Sequence, residues 1–316
     1  MKILANDGIS QSGINALESA GFEVITTNVA QEQLADFINK NNIAVLLVRS
    51  ATTARKELID ACPSLKIIGR GGVGMDNIDV DYAKSKGLHV INTPEASSHA
   101  VAELVFAHLY SLARFLHHAN RDMPLEGDSN FKALKKAYAK GKELKGKTLG
   151  ILGFGRIGQA TAKIGLGLGM KVIAFDPLIE KETLVLDFFD GQKVSFTIQT
   201  ISKEDVLKQS DFISLHVPAQ KEYVIDTAEF NLMKNGVILA NAARGGVVNE
   251  VALVNAIESG KVAGAALDVF ENEPNPEVQL LMNPALSLTP HTGASTNEAQ
   301  DRIASDLASQ IIRILK

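Results

Sequence analysis

Cysteine is almost missing from this 316-residue chain: Cys62 stands alone, so no internal disulfide can form. Followed by Pro63 at an expected helix end, it reads as an inert, buried thiol. No apolar run approaches the roughly 20 residues that a membrane-spanning helix needs. The opening MKILANDGIS passes directly into alternating structure and shows no apolar signal segment. An excess of one charge is also missing. The 32 Lys and Arg against 36 Asp and Glu give a net charge of -4, which supplies no electrostatic case for nucleic acid or another large polyanion. Only 9 prolines accompany 25 glycines, which argues against long disorder or a collagen-like repeat. What is present, 46% hydrophobic and 22% charged residues, is the composition of an ordinary globular protein large enough for two domains. A soluble, cytoplasmic protein with no membrane partner is expected.

Short apolar runs alternate with helical patterns through the first ninety residues. Strands are expected at 2–5, 22–25, 44–48, 66–68 and 88–91, with helices near 10–20, 31–39, 53–61 and 78–86. This beat suits a mostly parallel sheet covered on both faces. After Pro94, residues 97–118 carry one long apolar helical pattern suited to bridging two domains or packing on a partner subunit. The polar stretch 120–147 holds seven lysines, diluted by Glu126, Asp128 and Glu143, and reads as a solvated linker with a surface helix. A second α/β series starts at Thr148 and closes with a helix over about 295–314. Only residues 182–200 break the beat; the alternation over 194–198 suggests a surface hairpin of unreadable role.

The strand at 148–152 runs into Gly153-Phe-Gly-Arg-Ile-Gly158, a helix follows, and the next strand ends at Asp176. A glycine triplet alone is weak, but in this strand-turn-helix context, with the acid 18 residues after Gly158, it forms the dinucleotide-binding signature. Gly153 allows the tight turn, Gly155 lets backbone approach a pyrophosphate, and Gly158 lets helix and strand pack closely. Asp176 can accept both adenosine ribose hydroxyls while repelling a 2′-phosphate, which favours NAD over NADP. Arg156 either reaches the pyrophosphate or is a surface arginine; Phe154 reads as packing.

Four groups downstream can carry acid-base and anion chemistry. Arg244 follows an apolar strand and precedes two glycines, so it is either a bidentate carboxylate clamp or a strand-end salt bridge. Asp268 ends an apolar run, and Glu273 lies in Glu271-Asn-Glu-Pro. Removing a hydroxyl proton as hydride departs needs one base with a pKa near neutrality, a demand that histidine fits. Among the histidines, His108, His117 and His118 lie on an expected helix and His89 on a strand. His216 has no adjacent acid. His291, on a Pro-bracketed loop, is either the base, oriented by Glu273, or a structural loop histidine.

The segments Val48-Arg-Ser-Ala-Thr52, Gly69 to Asp79, Asn92-Thr-Pro94, Gly150 to Gly158, Asn241 to Gly246, Ala266 to Phe270 and Pro290 to Thr296 together make the chain resemble the D-isomer-specific 2-hydroxyacid dehydrogenase family. Within the family the resemblance is greatest to the branch that oxidises 3-phospho-D-glycerate to 3-phosphohydroxypyruvate for serine synthesis, resting on Arg49, Ser50, Arg70 and the Gly-Ala-Ser-Thr after His291. The resemblance implies two doubly wound parallel-sheet domains. A Rossmann NAD-binding domain, 99–290, would be inserted into a flavodoxin-like substrate domain formed by 1–98 and 291–316. It implies NAD as cofactor, no metal, and a homodimer through the nucleotide-binding domain.

Carried over residue by residue, the resemblance gives Arg244 the substrate carboxylate, His291 the proton, and Glu273 the task of orienting His291. Asp268 would lie near the nicotinamide carboxamide, and Ile157, His216, Val217, Pro218 and Ala242 would line the cofactor. Val73 and Gly74 would offer backbone N–H groups to the carboxylate, while Arg49, Ser50 and Arg70 would meet the phosphorylated end. A reductase of hydroxypyruvate, glyoxylate or another small acid would keep the same Arg-Glu-His set. An NAD-sensing binding protein would need no turnover. The C-terminal serine-sensing domain of longer members is not expected.

Overall fold

The computed structural model describes every residue from Met1 to Lys316, in two compact units. Met1–Ala100 and Ala294–Lys316 form the first, and Val101–Gly293 the second. The chain begins with β1 (Lys2–Ala5), α1 (Gln11–Ser19), β2 (Glu23–Ile25), α2 (Leu34–Asn41), β3 (Ile43–Val48), α3 (Lys56–Ala61), β4 (Ile67–Arg70), α4 (Val80–Ser85) and β5 (His89–Asn92). The five strands form one parallel sheet in the order β2-β1-β3-β4-β5. All six residues of β3, Ile-Ala-Val-Leu-Leu-Val, are buried, because a central parallel strand is covered on both faces.

Helix α5 (Ser98–Ala113) leads into the second unit, which continues with α6 (Leu116–Glu126), α7 (Phe131–Ala137), β6 (Thr148–Leu152), α8 (Arg156–Gly167) and β7 (Lys171–Phe175). The hairpin β8 (Lys181–Asp187) and β9 (Lys193–Gln199) follows. After it come α9 (Lys203–Gln209), β10 (Phe212–Leu215), α10 (Thr227–Leu232), β11 (Val237–Asn241), α11 (Glu250–Glu258), β12 (Val262–Leu267), α12 (Val278–Leu281) and β13 (Leu286–Leu288). Six strands form a second parallel sheet, β13-β12-β11-β10-β6-β7. Buried clusters line both of its faces, one including Leu239, Leu253 and Leu267, the other Phe106, Leu109, Ile151 and Phe154. Both units are therefore doubly wound α/β, the Rossmann arrangement in the second.

The chain returns to the first unit in α13 (Asn297–Leu315), capped by Thr296, whose hydroxyl accepts from the Ala299 N–H at 3.1 Å. Its apolar stripe of Ile303, Leu307 and Ile311 packs with Leu17, Val45 and Ile67. Gly13 on α1 permits the close approach: a Cβ there would lie 2.7 Å from that of Ala304.

Two details differ from the sequence reading. The single helix expected over 97–118 ends at Ala113, because Phe115 takes a left-handed φ of 56° and α6 starts anew at Leu116. The helix expected from residue 31 opens as a 3-10 turn over Gln31–Gln33. The hairpin is where alternation placed it, with Leu184 buried and Phe188 and Phe189 exposed. Cys62 is buried, and desolvation pushes its thiol up to about 11, so it stays protonated. No helix is long and apolar enough to cross a membrane.

Candidate active site

Open parallel sheets bind ligands beyond the carboxyl ends of their strands, where the strand order reverses. In the second unit that reversal falls between β6 and β10. The loop after β6 is the glycine motif, and its three glycines differ in physical situation. Gly153 has φ 91°, and a Cβ on it would lie 2.6 Å from the His216 carbonyl oxygen. Gly158 packs so tightly that a Cβ would sit 2.1 Å from the Gly153 carbonyl. Gly155, the residue before α8, faces open space, with nothing within 4 Å of such a Cβ. No side chain caps α8, so its first N–H groups remain available to an anion. This is a cradle that a pyrophosphate fits.

Asp176, at the end of β7, ties the motif down. Its Oδ2 accepts from Phe154 N–H at 2.7 Å, and its Oδ1 from the Leu178 and Ile179 N–H groups at 2.9 and 3.2 Å. Arg156 and Ile157 begin α8, Arg156 exposed and Ile157 half-buried. His216, Val217 and Pro218 follow β10, and the His216 Nε2 and Ser214 hydroxyl are 2.9 Å apart. The His216 Nδ1 is buried without a hydrogen-bond partner, and desolvation pulls the ring down to about 3. This histidine is a neutral packing group beside Gly153, not a proton carrier.

The loop after β11 holds Ala242 and Arg244. Asn241 shapes it as an Asx turn: its Oδ1 accepts from Ala243 N–H at 3.1 Å, and its Nδ2 donates to the Arg244 carbonyl at 3.0 Å. Gly245 is obligatory, because a Cβ would fall 1.8 Å from the Phe270 carbonyl oxygen. The Arg244 guanidinium donates to the Ala243 carbonyl at 2.6 Å and acts electrostatically on Glu273.

Glu273 and His291 meet. The His291 Nδ1 lies 2.8 Å from Glu273 Oε2, while Glu273 Oε1 accepts from Phe270 N–H at 3.0 Å. Burial pushes Glu273 up, but the bonds from His291 and Phe270 and the charges of His291 and Arg244 outweigh it and leave the carboxyl below its ordinary value. With Nδ1 held by a carboxylate, the imidazole presents Nε2 as its working nitrogen. His291 has φ 56°, a left-handed conformation uncommon for a residue with a side chain.

Asp268, buried after β12, holds the turn that follows His291. Its Oδ1 accepts from Thr289 Oγ1 at 2.6 Å and Thr292 N–H at 2.7 Å, and its Oδ2 from Gly293 N–H at 2.9 Å. The sequence reading did not anticipate this anchoring, nor the part of His108, which bonds Thr289 from α5. A polar residue inside an apolar helical pattern was the available signal. No group of three or more His, Cys, Asp or Glu side chains could hold a metal ion.

The remaining candidates lie in the first unit: Arg49 and Ser50 follow β3, beside that sheet's own strand-order reversal between β1 and β3, while Arg70 ends the neighbouring β4 and Val73 and Gly74 follow it. Asp7 accepts from the Arg49 N–H at 2.6 Å, the Thr52 N–H at 3.1 Å and the Thr52 hydroxyl at 2.6 Å. Asn77 donates to the Arg49 and Thr52 carbonyls at 2.8 and 2.7 Å. This lattice fixes the loop bearing Arg49 and exposed Ser50. Arg70 ends β4, its guanidinium lying against Gly72, where a Cβ would come within 2.3 Å of it. The Val73 carbonyl accepts from Asn92 at 2.7 Å, and Gly74 follows in the same loop.

Residues 106–293 match the model of the D-isomer specific 2-hydroxyacid dehydrogenase NAD-binding domain. The chain belongs to the D-isomer-specific 2-hydroxyacid dehydrogenase family. It is 41% identical to a hydroxypyruvate reductase of Thermotoga maritima over 99% of this chain and 98% of that one. It is 39% identical to a D-3-phosphoglycerate dehydrogenase of Methanocaldococcus jannaschii over its whole length, which spans 58% of that relative. Among solved structures, a D-lactate dehydrogenase from Aquifex aeolicus, complexed with NAD and lactic acid, is similar with a TM-score of 0.76 and 28% identity, covering 100% of this chain and 95% of that one. This family member is an NAD-dependent oxidoreductase of D-2-hydroxyacids, and its second unit is the NAD-binding domain.

Proposed function

We propose that the chain reduces a small 2-oxoacid of the hydroxypyruvate and glyoxylate class to its D-2-hydroxyacid, reversibly. The observation that carries the chemistry is the 2.8 Å Glu273–His291 pair within electrostatic reach of Arg244. When bound, the cofactor would supply a hydride to carbon as NADH or take one up as NAD. Arg156, Ile157, Asp176, Val217, Pro218, Ala242 and Asp268 would hold it, with the Gly153–Gly158 backbone toward its phosphates and the His216 backbone beside Gly153.

The protein's own groups manage the anion and the proton. Arg244 clamps the substrate carboxylate through its planar fork and opposes charge building on the C2 oxygen. The protonated His291 donates from Nε2 to that oxygen as it becomes a hydroxyl. In the oxidative direction neutral Nε2 takes the proton back. Glu273 keeps Nδ1 protonated and the ring oriented.

The end-to-end match to a hydroxypyruvate reductase supports the unphosphorylated substrate class. A second reading, oxidation of 3-phospho-D-glycerate as the first step of serine synthesis, is favoured by two cations, Arg49 in the loop after β3 and Arg70 at the end of the adjacent β4, with Ser50 beside Arg49. The relatives named D-3-phosphoglycerate dehydrogenase support it too. The exposed Leu116, Met123, Leu125 and Phe131 on α6 and α7 support a homodimer formed through the NAD-binding unit.

Purified protein assayed with hydroxypyruvate and glyoxylate plus NADH, and with 3-phospho-D-glycerate, D-glycerate and D-lactate plus NAD and a product trap, decides between the readings. Preference for an unphosphorylated acid, unchanged in Arg49→Ala and Arg70→Ala, supports the first. Selectivity for the phosphorylated acid, with KM rising about tenfold or more in those variants, establishes the second. NAD binding without turnover on any acid overturns both and leaves an NAD sensor.

A further inference from the structure

His108 lies inside α5, buried to 5% exposure, in a helix otherwise apolar on that side. Its two ring nitrogens reach residues almost two hundred positions away. Nδ1 and the Ser287 hydroxyl are 2.8 Å apart, and Nε2 and the Thr289 hydroxyl 3.0 Å. Ser287 lies in β13 and Thr289 just beyond it, two residues before His291.

The direction of these bonds follows from proton counting. The Thr289 hydroxyl spends its single hydrogen on Asp268 Oδ1 at 2.6 Å. The Thr289 oxygen must then accept from a protonated His108 Nε2. In a neutral ring Nδ1 is left as acceptor for the Ser287 hydroxyl. The chain of donors therefore runs from Ser287 to His108 to Thr289 to Asp268. Burial pushes the His108 pKa down, the Asp268 charge opposes this and His117 reinforces it, with a net lowering that favours the neutral ring. At the far end Asp268 holds the backbone N–H groups of Thr292 and Gly293.

We propose that His108 is a positioning residue: as the neutral Nε2–H tautomer it locks the Thr289 hydroxyl onto Asp268 and so fixes the 289–293 turn that presents His291. The inference builds on His291 as the acid-base group of the proposed reaction, but its structural half stands apart from turnover. A left-handed residue such as His291 persists only where its surroundings over-determine it. Asp268 pins the backbone on the far side of His291, Glu273 pins the ring, and His108 orders the hydroxyl on the near side.

The test uses the full chain, labelled with nitrogen-15, together with His108→Gln, His108→Leu and Thr289→Val. In the wild-type protein the His108 ring nitrogens, assigned by their disappearance in His108→Gln, should report an Nε2–H tautomer at neutral pH that takes up a proton only below the ordinary histidine range. Amide exchange at Thr292 and Gly293 should be slow in the wild type and in His108→Gln, whose amide can still donate to Thr289. Exchange should quicken in His108→Leu. On the preferred substrate, His108→Leu should lower kcat about tenfold with little change in KM, and His108→Gln should recover most of it. Adding Thr289→Val to His108→Leu should cost nothing further.

An Nδ1–H or charged ring in the wild type overturns the proposal even if neither His108→Leu nor Thr289→Val folds. So does a folded His108→Leu whose amide exchange and kcat match the wild type, or fully additive losses in the double variant. If no acid is turned over, the tautomer and exchange measurements still decide the positioning role, while the proposed reaction alone fails.

Discussion

Glu273 Oε2 and His291 Nδ1 lie 2.8 Å apart although 18 residues separate them in sequence, and the pair is only partly shielded. This relationship gives the imidazole one fixed nitrogen and one working nitrogen, which a mobile loop histidine would lack. Glu273→Gln can keep a hydrogen bond but not the charge that compensates the imidazolium. Its kcat/KM should fall about tenfold to a hundredfold, and His291→Asn should lose about a thousandfold. Steady-state kinetics in both directions checks this, and wild-type rates in either variant would remove His291 from the chemistry.

Glu273 also makes a pH statement. Its folded pKa lies below its ordinary 4.5, so the unfolded chain takes up the proton first as the solution is acidified. Its stabilising effect is complete above that ordinary value and disappears as pH falls through the folded one. The stability gap between the wild type and Glu273→Gln should therefore be present at neutral pH and close in acid, as urea unfolding at a series of pH values would measure. A gap independent of pH would show that the carboxylate is not held by His291 and Phe270.

The glycine motif allows binding and folding to be separated. A methyl group on Gly155 meets no protein atom, so Gly155→Ala should change stability by less than about 0.5 kcal/mol. The same methyl occupies the space where backbone would approach a pyrophosphate, and the Kd for NADH should rise about tenfold or more. Gly158→Ala places its methyl 2.1 Å from a carbonyl oxygen and should destabilise by about 3 kcal/mol or prevent folding. Thermal melts beside fluorescence titration with NADH distinguish these outcomes, and equal behaviour of the two variants would contradict their separate roles.

The reading of the sequence succeeded where the signal is local. Buried six-residue β3, the strand-glycine-helix passage at Leu152–Gly158 and the acid following β7 are all written in neighbouring residues, so both sheets and the shape of the glycine loop were legible. The break at Phe115 was not, because left-handed backbone at an aromatic residue has no compositional mark and the apolar period continues across it. The residues alone left the pairing of Glu273 with His291 as one of two open readings, because 18 residues of intervening chain do not fix their contact. The Ser287–His108–Thr289–Asp268 chain was invisible for a related reason. Its links join α5 to β13 and the residue just after it, 179 and 181 residues on, and inside a helix His108 looks like one polar interruption.

His216 offers a second, independent acid response. Its Nδ1 is buried and the ring is drawn down to about 3, whereas in an unfolded chain it takes a proton near 6.5. Between those values the unfolded state binds the extra proton, so stability falls as pH is lowered through the window. Each pH unit there costs about 1.4 kcal/mol from this one group. His216→Leu removes the titration, and its stability should decline less steeply from about pH 6 to pH 4, by about one proton in the linkage slope. Parallel slopes for the two proteins would mean that His216 charges freely in the folded state.

Cofactor choice turns on Asp176. Its carboxylate accepts from the N–H groups of Phe154, Leu178 and Ile179, which fix it just after β7, beside the glycine loop. A fixed negative charge there attracts ribose hydroxyls and repels a 2′-phosphate, and kcat/KM with NAD should exceed that with NADP by about tenfold or more. Asp176→Ser removes the charge while leaving a hydroxyl that can serve part of the hydrogen-bond set. The variant should lose rate with NAD and narrow the NAD-to-NADP ratio by about tenfold. If the wild-type enzyme used both dinucleotides equally, or Asp176→Ser lost rate with both in proportion, the carboxylate would be holding the loop together without selecting the cofactor.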